Sequence, residues 1–224
     1  MKDEKDRKTN EMARHFRQTL RATRLAARRA VAPERVAAWS RQIVAHLLRA
    51  FPEPPGKCIA FCWPIHNEPD IRAAIVVWRE AGAAIALPVT LAPKTPLAFR
   101  AWTPQTPLAV DASGVPAPAS GALAEPDVFI IPLNVFDAAG YRLGYGGGFF
   151  DRTLTALPRT PLTLGVGFEL GRVESIWPQA HDYPVDWLFT EAGFWAATRA
   201  RPLPRNGPSP TPENQPPELH ERRP

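Results

Sequence analysis

The chain has 224 residues, of which 45% are hydrophobic, and its formal net charge is +5 at pH 7. A chain of this length and composition can bury one sizeable core, which favours a single domain. No apolar run approaches the roughly 20 residues that a membrane-spanning helix requires, and the N-terminal segment lacks the apolar stretch of a secretory signal. These properties predict a cytoplasmic protein without a membrane partner.

The predicted elements follow one another in a regular order. Residues 1–12 are polar and are expected to be flexible, and two basic helices cover about residues 13–50, the second starting at Pro33. Strands then alternate with helices: the strands are CIAFCW, AAIALPV, LAFRAW, DVFIIPL, TLGVGF and DWLFT, and the helices are PDIRAAIVVWREAG and FFDRTLTAL. This alternation predicts an α/β three-layer sandwich with a mostly parallel central sheet.

Two segments fall outside the alternation. Residues 103–126 form a connector rich in proline, glycine and alanine, and residues 201–224 contain eight prolines in 24 positions. Such a proline-rich end cannot build a packed core and is predicted to be disordered. The single α/β domain is therefore expected to span residues 13–200. Cys58 and Cys62 are predicted to be buried free thiols, since no second cysteine or histidine pair completes a metal site.

The positive charge is concentrated near the N-terminus. Residues 1–50 hold 13 of the 27 Lys and Arg residues and 5 of the 22 Asp and Glu residues, a local balance of +8, so the remainder sums to −3. Five arginines with spacings of three and four form one stripe on the first helix: Arg14, Arg17, Arg21, Arg24 and Arg28. A solvated face is the ordinary explanation and nucleic-acid binding is the next, but five cations in line repel one another.

The segment YRLGYGGGFFDR, residues 141–152, has four glycines in five positions. A hairpin turn at residues 137–140 would explain Gly140 but none of these four. The Walker pattern and G-x-G-x-x-G are both absent here, and the second glycine run, GVGFELG at 165–171, has the wrong spacing and a poor helix after it. We favour a loop whose bare amides bind an anion at the start of the following helix.

Charged residues on both sides of the glycine run support an anion site. Arg142 and Arg152 supply positive charge, and Asp151 supplies a carboxylate that could meet a divalent cation. Phosphate oxygens, guanidinium groups, a carboxylate and a cation together make up a nucleoside triphosphate site. No convincing Ser-His-Asp or Cys-His arrangement is found in the sequence.

The segment FDAAGYRLGYGGGFFDR closely resembles the signature of the 5-formyltetrahydrofolate cyclo-ligase family, whose members are 5,10-methenyltetrahydrofolate synthetases. Three further segments resemble the family in the same order: RQTLRATRLAARRAVAPER, FCWPIHNEPDIRA and WPQAHDYPVDWLFTE. The resemblance covers about residues 14–192. Phe150 stands where the family usually has tyrosine, so this chain lacks any hydrogen bond that the tyrosine hydroxyl would make.

The resemblance implies ATP- and Mg²⁺-dependent conversion of 5-formyltetrahydrofolate to 5,10-methenyltetrahydrofolate, with release of ADP and phosphate. It implies three groups of site residues: Arg17, Arg21, Arg142, Leu143, Gly144, Tyr145, Gly146, Gly147, Gly148, Phe149 and Phe150 for ATP; Trp63, Glu68 and Phe150 for the folate; Asp151 and Asp182 for the metal. The other three stripe arginines, Arg14, Arg24 and Arg28, are expected to be solvated. The expected partners are these two substrates, with no nucleic acid, and a monomer is expected. Two alternatives stay open, a nucleotide-binding paralogue with another acceptor and a nucleic-acid-binding protein that uses the arginine stripe.

Overall fold

The structure, a computed structural model, describes residues 2–198, without the side chains of residues 2–6 and 8–10. The predicted tail at 201–224 lies outside the described residues. The helices are α1 Lys2–Arg29, α2 Pro33–Ala50, α3 Arg72–Glu80 and α4 Phe149–Ala156, with a short 3-10 helix at Glu169–Gly171. The strands are β1 Cys58–Phe61, β2 Ala84–Val89, β3 Ala98–Ala101, β4 Leu108–Val110, β5 Pro116–Pro118, β6 Val128–Pro132, β7 Val135–Phe136, β8 Arg142–Leu143, β9 Leu162–Val166, β10 Trp187–Thr190 and β11 Gly193–Ala196.

A seven-stranded sheet forms the centre of the molecule, with the order β11-β10-β9-β6-β1-β2-β3. The five inner strands are parallel to one another, and β11 and β3 pair antiparallel at the two edges. The mostly parallel sheet that the sequence predicted is therefore confirmed. Parallel strands place their carboxyl ends on the same side of the sheet, which is where ligands bind in open α/β folds.

Alternating side chains of the strands feed two separate cores. Ile59 and Phe61 of β1 belong to a core that also contains residues of α2 and α3, whereas Ala60 points to a core on the opposite face that includes Leu154 of α4. This division follows from the two-residue period of a strand, which sends successive side chains to opposite faces. Helices thus cover both faces of the sheet, and the predicted three-layer arrangement is confirmed.

Helix α1 begins earlier than the sequence predicted. It starts at Lys2 instead of about residue 13 and so includes the segment that was expected to be flexible. The physical reason is that Lys, Glu and Arg are good helix formers even where no apolar pattern marks a helix. Among residues 2–198, none of the helices combines the length and the apolar composition that a bilayer-spanning segment needs.

The end of α1 is held by a side chain from the loop after β1. Asn67, which has a positive φ of 58°, donates from Nδ2 to the carbonyl oxygens of Arg28, Arg29 and Val31 at 3.3, 3.3 and 3.2 Å. The carbonyls of Arg28 and Arg29 have no partner within the helix because they lie at its carboxyl end, and Val31 lies two residues beyond that end. The contact fixes the last turn of α1 beside the loop that carries Glu68.

Three strands were missed from the sequence. The connector at 103–126 contains the antiparallel pair β4 and β5, and β11 adds an edge strand beside β10. Strands of three residues that include two prolines, as β5 does, carry almost no local signal. Their pairing is decided by tertiary contacts instead.

The hairpin that was considered for residues 137–140 exists and explains one glycine. Strands β7 and β8 pair antiparallel, and Gly140 in their turn has a φ of +87°, with Val185 O only 2.6 Å from where a Cβ would stand. Both features exclude a side chain at this position. The four glycines at 144–148 lie beyond the hairpin and need another explanation.

The glycines of the second run, GVGFELG at residues 165–171, allow close packing. Added Cβ atoms at Gly167 and Gly171 would lie 2.9 Å from Leu133 Cβ and 2.6 Å from Asn134 O. These glycines therefore let two backbone segments approach each other closely. Cys58 and Cys62 are free thiols, as predicted, but both are of intermediate burial and not fully buried.

Candidate functional site

A cavity of about 890 Å³ opens at the carboxyl ends of β1, β2 and β6. Its lining includes every site residue expected from the sequence: Arg17, Arg21, Trp63, Glu68, Arg142, Leu143, Gly144, Tyr145, Gly146, Gly147, Gly148, Phe149, Phe150, Asp151 and Asp182. These residues lie in four separate parts of the sequence: α1, the loop after β1, the segment 142–151 and the loop before β10. The fold thus gathers around one space the groups that the sequence could only name separately.

The glycine loop leaves its backbone open to the cavity. An added Cβ at Gly144 or Gly146 would meet nothing within 4 Å, and Gly148 at the start of α4 has a φ of +63°. Backbone conformation accounts for glycine at 146 and 148, which have positive φ, but neither conformation nor packing accounts for Gly144. Open space beside bare amides at a helix start suits a bound anion.

Arg142 and Arg17 are fixed beside this loop by carboxylates. Arg142 is buried and donates to Tyr183 O and, over 3.1 Å, to Oδ1 of Asp151. Arg17 donates to both oxygens of Asp182 at 2.5 and 2.8 Å. Burial lowers the pKa of Arg142, and the charges of Asp151 and Asp182 oppose that effect. The two guanidinium groups are therefore held in place before any ligand arrives.

Arg21 differs because its cationic group is less engaged. Burial and the charge of Arg17 lower the pKa of Arg21, with Asp182 acting in the opposite direction. Its Nε is buried without a hydrogen-bond partner among the described residues. A half-buried guanidinium that lines a cavity with unused donors is suited to an incoming anion.

The two aspartates predicted to hold a metal differ in their environments. Oδ1 of Asp151 accepts from Arg142 and from Tyr183 N at 3.1 and 3.2 Å, whereas Oδ2 has no partner among the described residues. Both oxygens of Asp182 are engaged, since Arg17 and Gln179 N donate to them. Burial raises the pKa of Asp182, but these hydrogen bonds outweigh it and hold the pKa below its usual value.

A donor set for a cation is incomplete in the protein alone. Among the side chains that the structure describes, no group of three or more His, Cys, Asp and Glu could hold a metal ion. Mg²⁺ is commonly bound by one or two carboxylates together with substrate phosphates and waters. Asp151 and Asp182 fit that pattern, and Oδ2 of Asp151 has no hydrogen-bond partner among the described residues.

The other end of the cavity contains a buried carboxylate. Glu68 is 5% exposed, and its oxygens accept from Tyr145 Oη at 2.6 Å and from Ile65 N at 3.0 Å. Burial raises the pKa of Glu68, and the hydrogen bonds from Tyr145 and Ile65 and the charge of Arg28 offset this only in part. Trp63 lines the same region, with the Arg72 guanidinium carbon 4.8 Å from its ring centroid.

Arg28 corrects one expectation from the sequence. It was expected to be solvated, as the stripe residues other than Arg17 and Arg21 were, but it is 2% exposed. Its Nη2 lies 2.5 Å from Tyr145 Oη and 3.8 Å from Oε1 of Glu68, and its Nε donates to His66 O at 3.0 Å. The position on the arginine stripe was the available signal, but a regular spacing cannot tell which arginine turns inward.

Two further parts of the cavity wall gave no signal in the sequence. Asn134, after β6, donates from Nδ2 to Arg21 O at 3.1 Å and so ties α1 to the sheet. At another part of the wall, Thr90 N and Ser113 N donate to Asp111, both at 2.8 Å, which fixes the β4–β5 turn. Polar residues in loops are too common for either role to be predicted.

The fold and the cavity together place the chain among α/β proteins that bind their ligands at the carboxyl ends of a parallel sheet. Residues 13–191 match the model of the 5-formyltetrahydrofolate cyclo-ligase family. The chain belongs to this family.

Relatives and solved structures agree with this assignment. The 5-formyltetrahydrofolate cyclo-ligase of Escherichia coli K12 is 30% identical over 177 residues, which cover 75% of this chain and 96% of the relative. The enzyme of that name from Haemophilus influenzae is 30% identical over 151 residues, or 64% and 80% of the two chains. The 5,10-methenyltetrahydrofolate synthetase of Aquifex aeolicus has a TM-score of 0.69 at 26% identity, covering 85% of this chain and 97% of its own. The synthetase of Mycoplasma pneumoniae, at 23% identity and a TM-score of 0.63, supports the fold.

Proposed function

We propose that this protein converts 5-formyltetrahydrofolate to 5,10-methenyltetrahydrofolate at the expense of ATP. The observation that carries the proposal is the cavity, which has an arginine-lined glycine loop at one end and the buried carboxylate of Glu68 at the other. A triphosphate needs the first environment, and a ring that offers several N–H donors needs the second. Membership of the family joins the two in one reaction.

The proposed reaction needs positioning and charge neutralisation. The formyl oxygen attacks the γ-phosphorus, ADP leaves, and an iminium phosphate forms. N10 then attacks the formyl carbon and releases its proton as the ring closes, and phosphate departs with the formyl oxygen. We assign to Arg17, Arg21 and Arg142 the stabilisation of negative charge on the transferred group, because all three line the cavity beside the glycine loop. No step requires a covalent bond to the protein.

Mg²⁺ would supply charge neutralisation between the phosphates of the bound nucleotide. We assign its protein ligands to Asp151, through the open Oδ2, and Asp182, as the sequence predicted. Asp182 is engaged by Arg17, so it can join the cation only when Arg17 turns to another anion. A phosphate group is an anion of the kind that would draw Arg17 away.

The direct test is incubation with 5-formyltetrahydrofolate, ATP and Mg²⁺ while the absorbance of the methenyl product is followed. We expect the chromophore to appear only when all three are present. ATP hydrolysis that is stimulated by another acceptor, with no methenyl product, would favour the paralogue instead.

Replacing Gly144 with valine is expected to weaken ATP binding at least about tenfold, since it would place a branched side chain in the open space beside the loop amides. Gly144 is the better position for this test, because a Cβ at Gly147 would meet the ring of Phe149 at 2.6 Å and disturb the loop itself. Calorimetry with an ATP analogue measures the effect. An unchanged dissociation constant in a variant with normal thermal unfolding would contradict an ATP site at this loop.

Replacing Asp151 with asparagine is expected to raise the Mg²⁺ concentration needed for half-maximal turnover, because the amide is a neutral and weaker ligand for a hard cation. Asp182→Asn should also raise it, because the second carboxylate proposed for the cation is lost. Turnover is measured across a Mg²⁺ series at saturating ATP. If both variants follow the wild-type curve, the metal assignment is wrong.

The nucleic-acid alternative is weakened by where the arginine stripe points. Arg17 and Arg28 are 7% and 2% exposed, and Arg17 and Arg21 line the cavity. A surface that neutralises a nucleic-acid backbone has to expose its cations.

The monomeric state and the cytoplasmic location stay predictions from the sequence, as do the domain limits of 13–200.

A further inference from the structure

Tyr145 connects the two ends of the cavity. Its backbone belongs to the glycine loop, between Gly144 and Gly146, whereas its hydroxyl donates to Oε1 of Glu68 at 2.6 Å. The same hydroxyl lies 2.5 Å from Nη2 of Arg28, which donates to it. A side chain from the proposed phosphate end therefore engages the carboxylate of the proposed folate end.

This contact leaves Glu68 closed to a ligand. Tyr145 engages Oε1, Ile65 N donates to Oε2 at 3.0 Å, and the side chain of Glu68 is only 4% exposed. A ring N–H donor that enters the cavity cannot reach the carboxylate while the phenol covers it. Each carboxylate oxygen can accept more than one hydrogen bond, so Glu68 could still accept from a ligand. What prevents this is that the phenol of Tyr145 blocks the path to the carboxylate.

The surroundings of Tyr145 permit it to move. The residue is 48% exposed, and its ring meets His66 edge to face with centroids 5.8 Å apart. Neither flanking glycine has an atom within 4 Å of where a Cβ would stand, and Gly146 has a φ of +97°. A tyrosine between two glycines with open space on both sides can rotate away from Glu68 without repacking the core.

We propose that Tyr145 is a latch on the folate subsite, which covers Glu68 in the free protein and swings away when the pterin ring binds. This inference rests on the proposed function. The pterin N–H groups replace the phenol as hydrogen-bond donors to Glu68, and the phenol moves toward solvent. Folate binding is thus opposed by the hydrogen bond that has to be released.

The test is the Tyr145→Phe variant, which keeps the ring and removes the hydroxyl. We expect its dissociation constant for 5-formyltetrahydrofolate, measured by calorimetry without ATP, to be about fivefold lower than that of the wild type, the net contribution of one typical hydrogen bond. A gain in affinity is diagnostic, because a merely structural contact would weaken binding when removed. An affinity that is unchanged or lower would overturn the latch.

Tyr141→Phe provides the matched control, since Tyr141 lies in the β7–β8 hairpin and packs with a small cluster beside Leu143. We expect this variant to bind the folate as the wild type does, and an equal gain of affinity in it would also overturn the latch. Wild-type protein that neither binds nor converts the folate would overturn the proposed function itself. Wild-type binding and turnover with no gain in Tyr145→Phe would remove the latch alone.

Discussion

Replacing Arg17 and Arg21 together with glutamine is expected to weaken ATP binding at least about a hundredfold. Each lost charge-assisted contact costs about 1.5–3 kcal/mol, and Arg17→Gln also leaves Asp182 without the cation that it now contacts at 2.5 Å. Calorimetry with an ATP analogue and Mg²⁺ measures the loss. The single variant Arg21→Gln separates the two effects, since it breaks no ion pair among the described residues.

Arg14→Gln is the matched control for this pair. Arg14 lies on the same stripe but is exposed, so we expect its replacement to leave ATP binding and turnover unchanged. A nucleic-acid surface would respond differently: all stripe arginines would contribute similarly, and affinity for a duplex oligonucleotide would fall with salt by a log–log slope of about −0.9 per neutralised phosphate. Equal losses of oligonucleotide binding in the Arg14 and Arg21 variants, with ATP binding intact, would support that alternative.

Glu68→Gln is expected to weaken binding of 5-formyltetrahydrofolate about 10- to 100-fold while leaving the affinity for the ATP analogue near that of the wild type. The substitution keeps the shape but replaces acceptors by an amide whose NH₂ opposes the ring donors, and an unpaired buried donor costs about 1–3 kcal/mol. Calorimetry with each ligand separately measures the two affinities. Equal losses for both ligands would show that Glu68 supports the whole cavity instead of the folate.

Glu191→Gln is a suitable control for Glu68→Gln. Burial raises the pKa of Glu191 as well, but the residue accepts from Glu169 N outside the cavity. We therefore expect normal affinity for both ligands in this variant. A loss of folate affinity in Glu191→Gln would attribute the effect of Glu68→Gln to stability.

The pH dependence of folate binding should report the raised pKa of Glu68. Burial, the largest influence, disfavours the charged form, and only the ionised carboxylate can accept all the ring donors. As pH falls through this raised pKa, Glu68 takes up a proton and folate binding weakens. The acid limb of the binding curve should therefore lie at a higher pH than for an ordinary glutamate, and it should be absent from the Glu68→Gln variant.

Local patterns were sufficient to predict the order and type of the main elements. The continuous apolar run of DVFIIPL predicted a buried strand, and β6 is an inner strand of the sheet. Pro33 marked the start of α2 because proline is tolerated in the first turn of a helix. The run of four glycines in five positions predicted an open backbone. The structure has one at Gly144, where neither packing nor backbone conformation requires glycine.

Only the tertiary structure decided how the charged residues are used. By sequence alone, Arg14, Arg17, Arg21, Arg24 and Arg28 form one even stripe, yet Arg14 faces solvent, Arg17 pairs with Asp182 and Arg28 reaches Tyr145. Periodicity specifies which residues share a face of a helix, but the partner on that face comes from segments over a hundred residues away. Secondary structure follows from nearby residues in the chain, whereas a site that joins distant segments depends on how the sheet and helices pack.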